Sequence, residues 1–206
     1  MKIRLKHPKD YRELENFTRE TFWNVYRPGC TEHYVFNQYR ANPDFIPELD
    51  FVMEEDDKII GHIMFSKAEL MLDNDNKKSS WTFGPTNIHT DHKRKGFGLK
   101  LLSYVLERAR HMGVGFLCME GNIEFYKHVG FDLASKRKIH YHSEPWDAIV
   151  SFFLAKGLIP GWLNGMEATY CPPKGYLVPD ENPKAFETYE TTFSPKVKLC
   201  LSGQIV

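Results

Sequence analysis

The spacing of apolar and polar positions predicts many short elements rather than one long repeat. Residues 1 to 5 alternate and predict a first strand. Asp10, with Glu13 three residues on, predicts the N-cap of a helix running to about Val25, before Arg27-Pro28-Gly29. A second helix is expected from about Glu32 to Arg40, ahead of Asn42-Pro43. Phe51-Val52-Met53 and Ile59 to Phe65 flank a charged turn from Glu54 to Lys58. They predict two strands of a meander, with a third from about Ser80 to His89 after the polar loop Asp73 to Lys78.

The most regular helical pattern comes next. Leu101, Leu102, Val105, Leu106, Ala109 and Met112 recur on one face, while Lys100, Ser103, Glu107, Arg108 and His111 fall on the other, and Gly113 supplies a stop. Val114 to Met119 then predicts a short buried strand, parallel to the strand before the helix because a crossover helix joins them. A short helix is expected from Ile123 to His128, and strands near Asp132 to His142 and Asp147 to Leu154. From residue 155 onward the character changes, with six of the 12 prolines interleaved with aromatics such as Trp162, Tyr170, Tyr176 and Phe186. Such density disfavours a central strand or long helix, yet the rings need burial. The expected organisation is a core over 1–154 and a loop-rich appendage over 155–206 packed on it.

Composition narrows the class. With 27 basic and 27 acidic side chains, 42% hydrophobic and 26% charged residues, the chain reads as an ordinary globular protein with no charge excess. Global disorder, a dedicated nucleic-acid binder and a polybasic membrane-surface protein are disfavoured. The longest apolar run, residues 148–155, is far short of the roughly 20 residues of a membrane span, and residues 1–8 lack a signal-peptide core. A cytoplasmic protein without a membrane partner is expected. Cys30, Cys118, Cys171 and Cys200 form no C-x-x-C pair and read as reduced thiols. His140 and His142 share a strand face, but no further ligands accompany them, so no metal site is expected.

Against this neutral background, Ile88-His89-Thr90-Asp91-His92-Lys93-Arg94-Lys95-Gly96-Phe97-Gly98-Leu99-Lys100 stands out. Lys93, Arg94, Lys95 and Lys100 crowd the N-terminus of a predicted helix, where the backbone is already positive. Cations there call for an anion, and Gly96 and Gly98 let backbone N–H groups approach one. The plainer reading is a solvated basic loop with two turn glycines; the conflict with the helix dipole favours a polyphosphate cradle. No P-loop pattern is present, and the third glycine of a dinucleotide fingerprint is missing.

These residues resemble the GNAT superfamily of N-acetyltransferases. The family's central pattern is Arg or Gln, two residues, Gly, one residue, Gly or Ala; here it reads Lys93-Arg94-Lys95-Gly96-Phe97-Gly98. A second match, Phe125-Tyr126-Lys127-His128-Val129-Gly130-Phe131, follows the next strand, preceded by Gly121-Asn122. The resemblance covers about residues 1–154, and the Gly-Asn variant with a C-terminal extension is similar to a subgroup of predicted acetyltransferases. Lys93 replaces the usual Arg or Gln, and Thr90 the common proline, so the phosphate meets a point charge instead of a fork.

The resemblance implies an α/β fold (α+β in its segregation) with a mixed, mostly antiparallel sheet and a splayed parallel strand pair flanked by helices. It implies acetyl-CoA as co-substrate, its pantetheine arm beside Ile88 and His89, its pyrophosphate on Lys93, Arg94, Lys95, Gly96, Phe97, Gly98 and Leu99, and Asn122 reaching the arm or merely capping a helix. It implies direct attack of a small-molecule or peptide primary amine on the thioester, with Tyr126 as the acid for the departing thiolate. Glu120 and His89 are the candidate bases, at the ends of the two splayed strands; His62 and Cys118 are weaker. A non-catalytic acyl-CoA-binding or sensing module is the alternative, an RNA-binding basic loop a more distant one. The appendage reads as an acceptor-side wall, a homodimer surface or a structural cap.

Overall fold

A computed structural model describes residues 1–73 and 76–204. Part of the expected polar loop Asp73 to Lys78, and the last two residues of the expected appendage, lie outside them. Contacts divide the chain into two compact units. One comprises Met1–Met64, Pro85–Leu101 and Lys174–Val206; the other comprises Phe65–Gly84 and Leu102–Pro173.

In the first unit, strand β1 (Lys2–Leu5) pairs antiparallel with β2 (Phe45–Glu55), from Lys2↔Glu54 to Leu5↔Phe51, and β2 neighbours β3 (Lys58–Leu72). Helices α1 (Tyr11–Phe22) and α2 (Glu32–Tyr39) close the core, with Leu14, Phe17, Val35, Phe36, Tyr39, Val52, Ile59 and Met64 buried together. Each fully buried Leu or Phe contributes about 1.5–3 kcal/mol by leaving water. Asp10 precedes α1 as expected, but its side chain does not cap the helix. It turns back to Arg4 and to the His7 N–H, 2.7 Å away. Helix α1 also stops earlier than expected, at Phe22, because Trp23 is extended and Asn24 left-handed with φ 58°.

In the second unit the strand order runs from β3 through β4 (Lys77–Ile88), β5 (Phe116–Glu120) and β8 (Phe153–Gly157) to β6 (Asp132–Leu133). Strand β9 (Ala168–Cys171) pairs antiparallel with the end of β3, and β7 (Ile139–Tyr141) pairs parallel with β9. The core of this unit includes Ala68, Leu70, Phe116, Cys118, Ala134, Ile139, Phe153, Ala155, Ala168 and Tyr170. Helix α3 (Phe97–His111) buries Leu101, Leu102, Val105, Leu106 and Ala109 as its spacing predicts. Met112 lies beyond its end and is exposed, contrary to the periodicity. Gly113 adopts φ 82° and the Val114 N–H reaches back to the Ala109 carbonyl, an ordinary left-handed stop.

Four expectations need correction. The strand expected over 132–142 is broken by a turn at Ala134–Arg137 and by left-handed Lys138, leaving two short strands. The strand expected from Asp147 begins only at Phe153, and Ile149 is largely exposed. The boundary drawn after residue 154 falls inside β8; residues 155–173 complete the second unit, and 174 onward belong to the first. That later stretch is not purely loop, since it forms α5 (Val178–Glu181) and α6 (Pro183–Glu190). Pro183 sits at the start of α6, where its missing N–H costs nothing, and Asn182 caps it by accepting the Ala185 N–H.

No helix among the described residues is long and apolar enough to cross a membrane.

Candidate active site

The cationic loop belongs to the first unit. After β4 ends at Ile88, a 3-10 turn over Thr90–His92 leads into Lys93. His89 closes that turn: its Nδ1 accepts the Asp91 N–H at 3.3 Å, and its ring lies parallel to Phe17 with centroids 6.2 Å apart. With Nδ1 accepting, the proton of the neutral imidazole belongs on Nε2, so neither nitrogen offers a free lone pair. The His89 N–H donates to the Ile60 carbonyl at 2.8 Å, and its carbonyl accepts from His92 at 2.8 Å. Only a second lone pair of that carbonyl is left for a pantetheine amide. His92 in turn lies 3.2 Å from Glu55, tying the loop to the end of β2.

Arg94 has φ 60° and Gly96 φ 84°, left-handed residues alternating with extended or right-handed neighbours. This alternation gathers successive N–H groups into an anion-binding concavity. Nothing stands within 4 Å of where a Gly96 side chain would begin, so glycine is required there by φ and not by crowding. Lys93, Arg94, Lys95 and Lys100 are exposed, and among the described residues none has a carboxylate within ion-pair distance. The first turn of α3 carries no acid. Half-buried Phe97, Gly98 and Leu99 complete that turn. A set of uncompensated cations beside inward-turned N–H groups fits a polyphosphate.

The second set of residues belongs to the second unit. Strand β5 pairs with β8 along its whole length, from Phe116↔Gly157 to Glu120↔Phe153. Its parallel register with β4 consists of Trp81↔Leu117. Beyond that rung β5 continues to pair with β8. Gly121 and Asn122 then lead into α4 (Ile123–Tyr126). Asn122 caps it, its Oδ1 accepting the Glu124 N–H at 2.9 Å, so the helix-capping reading of this residue holds. The half-buried Tyr126 ring lies against Phe83 and Phe131, each with centroids 5.9 Å away. A side chain at Gly121 would begin 2.5 Å from Tyr126 Cε2, so the Gly-Asn step is what lets this ring pass.

Glu120 is exposed at the end of β5, and Oε1 accepts a hydrogen bond from the Tyr141 hydroxyl at 2.7 Å. Tyr141 was not among the expected residues. The segment His140-Tyr141-His142 drew attention to its two histidines, whereas strand alternation puts Tyr141 on the opposite face. His140 instead stacks on Trp146 with centroids 3.4 Å apart. Among the described residues no group of three or more His, Cys, Asp or Glu side chains is placed to hold a metal.

His62 and Cys118 fall into structural roles. His62 is fully buried, with Nε2 2.8 Å from Asp50 Oδ1, and Asp50 also pairs with Lys6. Burial pushes the Cys118 thiol far above its ordinary range, which keeps it protonated.

Comparison with known proteins agrees with this arrangement. No curated protein sequence matches significantly. Many solved structures do. The chain is similar to a GNAT family N-acetyltransferase (YhbS) of Escherichia coli in complex with CoA, with TM-score 0.72 and 19% identity over 85% of this chain and 91% of that one. It is similar to a GNAT family acetyltransferase of Brucella melitensis in complex with acetyl-CoA, with TM-score 0.64 and 20% identity over 85% and 97% of the two chains. A third similar structure is the ribosomal-protein-S18-alanine N-acetyltransferase of Escherichia coli, at 0.54 and 15% over 77% and 94%. The sequence model of the acetyltransferase (GNAT) family matches residues 10–131, more than half of the chain, which thus belongs to that family.

Proposed function

We propose that the protein transfers the acetyl group of acetyl-CoA to a primary amine of a small molecule or peptide, by direct attack of the amine on the thioester. The observation that most supports this is the group of four exposed cations, without carboxylate partners among the described residues, at the start of a helix whose first turn holds no acid. Lys93, Arg94 and Lys95, with the N–H groups through Leu99, would hold the pyrophosphate. The pantetheine arm would lie along Ile88, as an added strand.

Acetyl-CoA supplies an activated acyl group, and the chain supplies two proton movements. Glu120 takes a proton from the acceptor ammonium, whose ordinary pKa is about 10, so that nitrogen carries a lone pair. As the C–N bond forms and the C–S bond breaks, Tyr126 gives its phenolic proton to the departing sulfur, and it is reprotonated through solvent by the second proton that the amine nitrogen sheds as it becomes an amide. His89 is the weaker base, because Nδ1 is occupied by the loop backbone and Nε2 carries the proton. The four cysteines are free thiols, which suits a reducing, cytoplasmic setting.

Tyr126→Phe should bind acetyl-CoA with unchanged affinity by titration calorimetry, yet turn over at least 100-fold more slowly, a magnitude typical of a lost general acid. Turnover is followed by thiol release with spermidine, phenethylamine, an aminoglycoside and an alanine-initiated peptide as acceptors. A fully active Tyr126→Phe would remove the acid assignment. Tight acetyl-CoA binding with no turnover on any amine would favour a sensing module.

A further inference from the structure

We propose that Tyr141 is a positioning residue for acetyl transfer: its hydroxyl fixes the Glu120 carboxylate for proton removal from the acceptor amine, and the C-terminal strand β9 holds Tyr141 in place. This rests on the reading of Glu120 as the base. Strand β7 has three residues, too few to persist alone. It is held by parallel pairing with β9, Ile139↔Ala168, His140↔Thr169 and Tyr141↔Tyr170, and β9 is anchored on β3 through Leu70↔Tyr170. The His142 N–H extends the ladder to the Tyr170 carbonyl at 3.0 Å.

Aromatic neighbours fix the ring of Tyr141. Phe153 meets it edge-on at 5.1 Å, Phe152 at 5.6 Å, and Tyr170 lies at 6.3 Å between centroids. The Phe152 carbonyl also accepts the Gly121 N–H at 2.8 Å, which fixes the residue after Glu120. An exposed glutamate has three rotatable bonds, and the 2.7 Å hydrogen bond from Tyr141 to Oε1 selects one orientation. The titratable groups facing the phenol are Glu120 on β5, Tyr170 and Cys171 on β9, and His142, with ring centroids 5.2 Å apart, and Glu144 after β7; β8 faces it with Phe153. Burial, then the nearby Glu120 charge, keeps this phenol well above its usual range, so it remains a donor throughout. The proton moves from ammonium to Glu120, and Tyr141 keeps its own.

The test compares wild type, Tyr141→Phe, Glu120→Gln and the double variant. Carboxyl ¹³C NMR follows the Glu120 resonance, assigned by its loss in Glu120→Gln, and needs no amine. In Tyr141→Phe that resonance should shift, because the carboxylate has lost the donor that holds it in one orientation. With the best acceptor of the panel, Tyr141→Phe should keep its acetyl-CoA affinity, lose about tenfold in kcat/KM near neutral pH and recover at alkaline pH. In the Glu120→Gln background the same change should cost less than twofold. An unmoved resonance, or fully additive losses, overturns the positioning role while leaving Glu120 as base. Wild-type kinetics in Glu120→Gln overturns the base reading instead. Circular dichroism confirms that each variant is folded.

Discussion

Two sets of cations within the first unit are treated in opposite ways. Around α1, α2 and α6 every positive side chain in the core region has a carboxylate: Arg4 with Asp10 and Glu54, Lys6 with Asp50, Arg40 with Glu15, Arg19 with Glu190. In the loop from Lys93 to Lys100 none has one among the described residues. The first set is enclosed, where an unpaired charge is costly, and so is matched internally. The second is open to water, where leaving a charge unmatched costs little and keeps it available to a ligand. The same residue types thus report structure in one place and binding in the other, and the difference is whether the partner is already in the chain.

Removing a partner from the closed set should give the largest effect. Asp50→Ala leaves Lys6 and His62 facing each other in the core, with His62 fully buried and the Lys6 side chain nearly so. A loss of about 3–5 kcal/mol is expected in urea unfolding. A loss below about 1 kcal/mol would mean that solvent enters and that the pair is not closed at all.

Acid should act next on the same set. His33 is fully buried, with Nε2 2.8 Å from Glu190 and Nδ1 3.4 Å from Cys30 Sγ. Burial lowers its pKa to about 4, against the opposing pull of Glu190. The unfolded chain therefore binds the proton more readily than the folded one between about pH 6.5 and pH 4. Stability is full above that window and is lost as pH falls through it, by up to about 3 kcal/mol from this group. His33→Gln should flatten that slope in urea midpoints measured from pH 7.5 to pH 4. The arrangement Cys30–His33–Glu190 has the order of a nucleophilic triad, yet burial drives the thiol upward and keeps it protonated, so it works as a latch between α2 and α6.

How much of this could be read in the sequence follows from the same distinction. The loop could be singled out as a candidate, because cations at a helix N-terminus contradict local electrostatics and the contradiction is visible in thirteen consecutive residues. Gly121-Asn122 entered only through the family resemblance; that a side chain at Gly121 would collide with the Tyr126 ring is visible only in the fold. The closed set was not legible: Glu190 lies 157 positions from His33, and only folding brings them together. Tyr141 escaped because its partner Glu120 is on another strand and β7 exists only through β9, whose short apolar stretch is masked by Pro172-Pro173. The strand expected from Asp147 failed through an over-reading of β-prone residues that are in fact exposed, Ile149 above all.

On the open set, a Lys93→Ala and Arg94→Ala double variant should weaken acetyl-CoA binding about tenfold at low salt, and the difference should shrink as ionic strength rises. Calorimetric affinities at low and high salt decide this, and an unchanged affinity would free the loop from any phosphate role.

The smallest effect is the most discriminating, because its sign reverses with the ligand. Lys100 is exposed in the first turn of α3, where the helix dipole and Lys93, Arg94 and Lys95 all oppose a positive charge. In the free protein Lys100→Ala should stabilise the fold by about 0.3–1 kcal/mol, since alanine removes that repulsion and favours the helix. With saturating acetyl-CoA the gain should disappear or turn into a loss, because a bound polyphosphate makes the lysine favourable. Thermal unfolding of both proteins, with and without acetyl-CoA, measures the two signs directly. A basic loop with no anion to meet would show the same small gain in both conditions, and only a site built to be completed by its ligand shows the reversal.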